Sequence, residues 1–166
     1  MRSGLKRKAF LRLMPRRCRR IEVVPSVSDL GPEEVDRAVV RFFSDYQAHT
    51  GTRADRLALE RRPWRKGDDI LDELIRGNDD DARRAWPIIL ALIERSADSP
   101  ALSYVGAGPL EDFLRMHGAA IGTLVADAAR RDPRVREALG SVWGLEDVPE
   151  PMRSELIKLA STVQKA

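Results

Sequence analysis

From Tyr104 to Asp112 the chain reads Tyr-Val-Gly-Ala-Gly-Pro-Leu-Glu-Asp, and the assembly of everything around it turns on how that run is read. Helical patterns lie on both sides, and only here does the chain place two glycines and a proline within four residues. Glycine closes helices readily because it lacks a Cβ, and proline fits a helix's first turn, where an N–H is not needed. The spacing therefore predicts a tight joint, with Gly106 closing one helix and Pro109 opening the next.

Upstream, a helix is expected from Pro32 to about Gln47. Pro32 stands at the first position, Glu33 and Glu34 face the positive end of the dipole, and Val35, Ala38, Val39, Phe42, Phe43 and Tyr46 form one apolar stripe. A basic stretch follows from Arg53 to Lys66, read as a short helix and then a loop at Pro63. Asp68 can cap a short helix that Gly77 ends. Asn78-Asp79-Asp80-Asp81 resembles a metal cluster at first sight. It lacks the alternating ligands, glycine and distant glutamate of a calcium loop, so it reads as a helix cap. The helix it opens, about Asp80 to Arg95, is apolar over more than half its circumference and belongs at the centre of the core. Pro87 should bend it or mark its true start.

Downstream the same punctuation recurs. Ser99 is the expected cap of a helix that Pro100 opens, Gly118 is the expected stop of the one opened by Pro109, Asp132-Pro133 caps another, and a last helix follows Pro149 and Pro151. Trp64, Trp86 and Trp143 are expected to be buried. Ile21 to Val24 is the single, short candidate for a strand. The fold class is thus all-α, a compact bundle of about seven or eight short helices, with a short stack of antiparallel helix pairs as the alternative.

Composition is globular and charge-rich, with 43% hydrophobic and 33% charged residues. The net charge of +3 conceals two unlike parts. Residues 1–24 carry nine Lys/Arg against Glu22, which leaves 20 basic and 25 acidic residues beyond Val24, a net −5. The expected organisation is a basic leader over 1–28 and one helical domain over 29–166. No apolar stretch approaches the length of a membrane span. One cysteine, Cys18, excludes an internal disulfide, and a cytoplasmic location is expected. Two histidines and one cysteine do not make a metal cage, and no cofactor motif is present.

The candidate functional residues cluster at the joint: Tyr104, Gly106, Gly108, Pro109, Glu111, Asp112 and His117. The segment fails as a phosphate cradle, because no Lys-Ser/Thr follows and two carboxylates would repel an anion. Glu111 and Asp112 could serve acid/base chemistry with His117, but adjacent helical positions point about 100° apart and do not converge unaided. The plainer reading gives Glu111 to amide groups at its own helix start, Asp112 to an arginine, and His117 to packing or a helix C-terminus before Gly118. Among the basic residues, Arg16, Arg17, Arg19 and Arg20 are the candidates for a nucleic-acid arm within residues 2–20.

Three runs carry a family likeness: Ala85-Trp86 with Ile89-Leu90 and Leu92-Ile93, Tyr104 to Leu114, and Arg130 to Trp143. In these the chain resembles a bacterial family of unknown function, domain of unknown function no. 6869. The resemblance implies a small helical domain with no established activity. The reading that follows leans against an enzyme. It favours a protein-interaction module with an unknown protein partner, such as an immunity-type partner of a toxin. Nucleic-acid binding through the leader and hydrolysis by Glu111, Asp112 and His117 are the alternatives.

Overall fold

Helices in this chain begin where the sequence supplies an acceptor for their free N–H groups. The computed structural model describes residues 30–62 and 69–162. Within them run α1 (Pro32–Thr50), α2 (Arg53–Glu60), α3 (Ile70–Ile75), α4 (Asp79–Arg95), α5 (Ser99–Val105), α6 (Glu111–Arg131), α7 (Pro133–Leu139) and α8 (Met152–Ala160). A single 3-10 turn, Leu145–Asp147, precedes α8, and no strand occurs among the described residues. The leader, with Cys18 and Ile21 to Val24, lies outside them, as do the expected loop at Pro63, Trp64 and the Asp68 cap.

Asn78 caps α4, its Oδ1 accepting from the N–H groups of Asp80 at 2.9 Å and Asp81 at 3.1 Å, while Asp81 reaches back to the Asn78 N–H. The acidic run is therefore a cap, as its pattern predicts. The cap of α5 falls one residue earlier than expected, on Asp98, whose carboxylate accepts from Ala101 at 2.9 Å and leaves Ser99 as the first helical residue. Pro87 lies inside α4 and does not mark its start. Its side chain is on the solvent face, where water can take over the carbonyl that a missing N–H leaves free.

The core is the seam between α4 and α6. Ala82, Ala85, Ile88, Ile89 and Leu92 from one, and Phe113, Leu114, Ile121 and Val125 from the other, are closed to solvent. Trp86 stacks on Phe113 with ring centroids 5.7 Å apart and planes 8° apart. Around this seam α1 and α3 pack on α4, α7 and α8 pack on α6, and α5 leans on α7, while α2 lies chiefly against α1.

The expected joint is not a joint. From Ser99 to Arg131 every residue is helical, and Gly106–Leu110 form a π turn in which the Glu111 N–H bonds the Gly106 carbonyl five residues back. Pro109 explains the widening. It has no N–H for the carbonyl of Val105, and its ring crowds that carbonyl in a normal turn. Nor does Gly118 stop anything, since α6 continues to Arg131. A Cβ on Gly118 would stand 2.7 Å from Val148 Cγ2, and one on Gly122 would stand 2.5 Å from Met152 Cγ. These glycines let the 3-10 turn and α8 settle onto the helix backbone.

Candidate functional site

The residues expected to gather at the joint are dealt out to separate tasks. Asp112 pairs with Arg115 one turn on, at 2.6 Å, which is the plain ion pair its position suggests. Glu111 does serve an amide, but not one of its own helix: its Oε2 accepts the backbone N–H of Trp143 at 2.8 Å. His117 is 8% exposed in the middle of α6, not at a C-terminus. Its Nδ1 lies 2.9 Å from Asp79 Oδ1 and its Nε2 lies 2.8 Å from the Ile75 carbonyl. The ring thus ties α6 to the end of α3 and the start of α4, and both its nitrogens are occupied. Glu111, Asp112 and His117 share no hydrogen bond with one another, so the acid/base set is not assembled.

The Ile75 carbonyl belongs to the last turn of α3, which leaves it without an intrahelical partner. Replacing His117 by phenylalanine keeps a flat ring there and strips the donor from that buried carbonyl. A loss of about 1–3 kcal/mol is expected in urea melts. His117→Gln, which can still donate, should recover part of it.

Tyr104, at the end of α5, joins an aromatic group built by α1: its ring lies 5.6 Å from Phe42, 4.9 Å from Tyr46 and 6.2 Å from His49. Burial, and then the charge of Asp45 and the neighbouring Tyr46, hold its pKa above the usual tyrosine value. The hydroxyl therefore stays protonated and available as a donor.

The Arg-x-Asp-Pro-Arg-x-Arg run from Arg130 to Arg136 is structural throughout. Asp132 caps α7 through the Arg134 N–H at 2.8 Å. The Arg134 guanidinium donates to the Ile93 and Ser96 carbonyls at the end of α4, the latter at 2.6 Å. Arg136 donates to the Ala129 carbonyl at the end of α6, at 2.7 Å. Cations at helix C-termini answer both the free carbonyls and the dipole.

Trp143 departs most from expectation. Expected in the core, it is 83% exposed, on the loop between α7 and the 3-10 turn. The loop is nonetheless well held. The Ser141 N–H bonds the Ala138 carbonyl at 3.0 Å, the Val142 N–H bonds the Leu139 carbonyl at 3.2 Å, and Glu111 takes the Trp143 N–H. Gly144 beside it is buried, and a Cβ there would lie 3.6 Å from Glu111 Cγ. The sequence shows a tryptophan near apolar residues. It does not show that Val142 turns inward to leave Trp143 outside.

Among the described residues no three His, Cys, Asp or Glu side chains gather as metal ligands, and no helix is long and apolar enough to cross a membrane. Arg16, Arg17, Arg19 and Arg20 lie outside the described residues. Of the basic stretch, Arg56 in α2 donates to the Gly51 carbonyl at 2.8 Å, and Arg62, just past the end of α2, pairs with Asp45 at 3.0 Å.

The class defined by this geometry is an all-α helical domain whose polar motif residues mostly fasten helix ends. Residues 62–160 match the model of a family of unknown function, DUF6869, and the chain belongs to that family. No curated protein and no solved structure matches it significantly.

Proposed function

We propose that the chain is a non-enzymatic protein-interaction module, with the helical domain over 29–166 as its working part and Trp143 as its contact residue. The observation that carries this reading is the pairing of an almost fully exposed tryptophan with a loop whose backbone is anchored by the half-buried Glu111. Tryptophan is enriched among residues that dominate binding energy, and a loop already held in shape loses little entropy on docking. Exposed Glu146 and Asp147 stand three and four residues on, and the chain beyond Val24 is net −5, so the fitting partner is a basic protein. Residues 1–28 are read as a leader outside this contact.

The test compares the immobilised full chain with its Trp143→Ala variant in lysate of the source cell. Trp143→Ala should shift stability by no more than about 0.5 kcal/mol, because the side chain packs against little. It should nevertheless lose a basic partner that the parent chain captures, and salt should release that partner. Deleting residues 1–24 should leave capture intact. Equal capture by both chains, or loss of capture with the leader, would overturn the reading.

A further inference from the structure

On the side of the molecule built by α1, α3 and α5, a cavity of about 240 Å³ opens beside Tyr104. At about 30 Å³ of liquid per water, that is room for roughly eight waters, or one molecule of amino-acid size. Its apolar walls are Ala38, Phe42 and Leu71, and its polar walls are Arg41, Asp69 and Tyr104, with Asp45 between the two arginines it binds.

The polar groups are held in place yet incompletely used. Asp45 Oδ2 takes the Arg41 Nε–H at 2.8 Å, and Asp45 Oδ1 takes Arg62 at 3.0 and 3.1 Å. That fixes Arg41 by its inner nitrogen and leaves both terminal nitrogens without a protein partner among the described residues. Asp69 caps α3 with one oxygen, accepting the Asp72 N–H at 3.1 Å, and its other oxygen has no such partner. The Tyr104 hydroxyl is in the same position.

This set discriminates between ligand classes. A simple anion meets Arg41 but also two aspartates, and a simple cation meets the aspartates but also Arg41. A hydrocarbon would leave all three polar groups unpaired, which costs more than its contacts return. A small molecule carrying both charges answers every wall. We propose that this cavity is a binding site for a free α-amino acid with an apolar side chain. Its carboxylate lies on the terminal nitrogens of Arg41, its ammonium group faces Asp69, and its side chain lies against Phe42 and Leu71. The paired N–H groups of a guanidinium match a carboxylate in two parallel bonds. The site lies on other elements than Trp143 and does not depend on the interaction reading.

The experiment is calorimetric titration of the full chain with L-leucine and L-phenylalanine, set against N-acetyl-L-phenylalanine and L-phenylalaninamide. The free amino acids should bind saturably. Removing either ligand charge should weaken binding about tenfold or more, the usual scale for a lost charged hydrogen bond. Arg41→Gln should erase the preference over the amide, and Asp69→Asn, which keeps the capping oxygen, should erase the preference over the N-acetyl form. Failure of both amino acids to saturate the parent chain would overturn the proposal. So would equal affinity for the blocked derivatives, a result that needs no variant to fold.

Discussion

Phe113→Ala should cost about 3–5 kcal/mol, the range for emptying a large aromatic from a packed core. Phe113 is wholly closed to solvent and lies flat against Trp86 across the α4–α6 seam, so neither helix can move in to fill the space without losing its own contacts. Single domains hold only about 5–15 kcal/mol in total, so this one change should bring the chain close to unfolding at room temperature. Phe113→Leu keeps an apolar filling of reduced size and should cost less than half as much. Met116→Ala, three residues along the same helix and 46% exposed, should stay within about 0.5 kcal/mol. Urea midpoints of the three variants check the order. A small loss at Phe113 would mean that the seam is not where the stability lies.

Much of the fold is legible in the residues because local rules and packing agree over most of the chain. The stripe from Val35 to Tyr46, the cap at Asn78 and the apolar run of α4 each point to the structure that forms. Where the reading fails, a distant neighbour decides. Gly118 looks like a helix stop, and what makes it glycine is Val148, thirty residues on in the chain and in contact only after folding. His117 looks like a C-terminal cap and instead meets Ile75 and Asp79 through the packing of α6 on α3. The outward turn of Trp143 depends on Glu111, and no local pattern encodes that bond. The cavity at Tyr104 is of the same kind, since Arg41, Asp69 and Tyr104 come from three elements.

The π turn gives the sharpest test, because its two glycines should respond in opposite directions. A Cβ on Gly106 would stand 2.1 Å from the Ala138 carbonyl oxygen, 3.0 Å from its carbon and 2.9 Å from Ser141 Cβ. Two of these atoms are backbone at the end of α7, whose N–H and C=O groups are bonded into the turn that carries Val142 and Trp143. They cannot swing aside as a long side chain would. Gly106→Ala should therefore force the π turn and α7 apart, at a cost of about 3 kcal/mol or more. It should also loosen the Trp143 loop, which hangs on the same carbonyl through Ser141. Gly108, two residues later, has open space within 4 Å of its would-be Cβ and no left-handed backbone to protect. Alanine there restricts only the unfolded chain and should stabilise by about 0.4–1 kcal/mol. Denaturant melts of the two variants measure the split directly. Equal effects in the two would mean that the glycines serve the turn's flexibility; opposite effects mean that one is there for contact and the other is dispensable, the outcome that the Ala138 carbonyl requires.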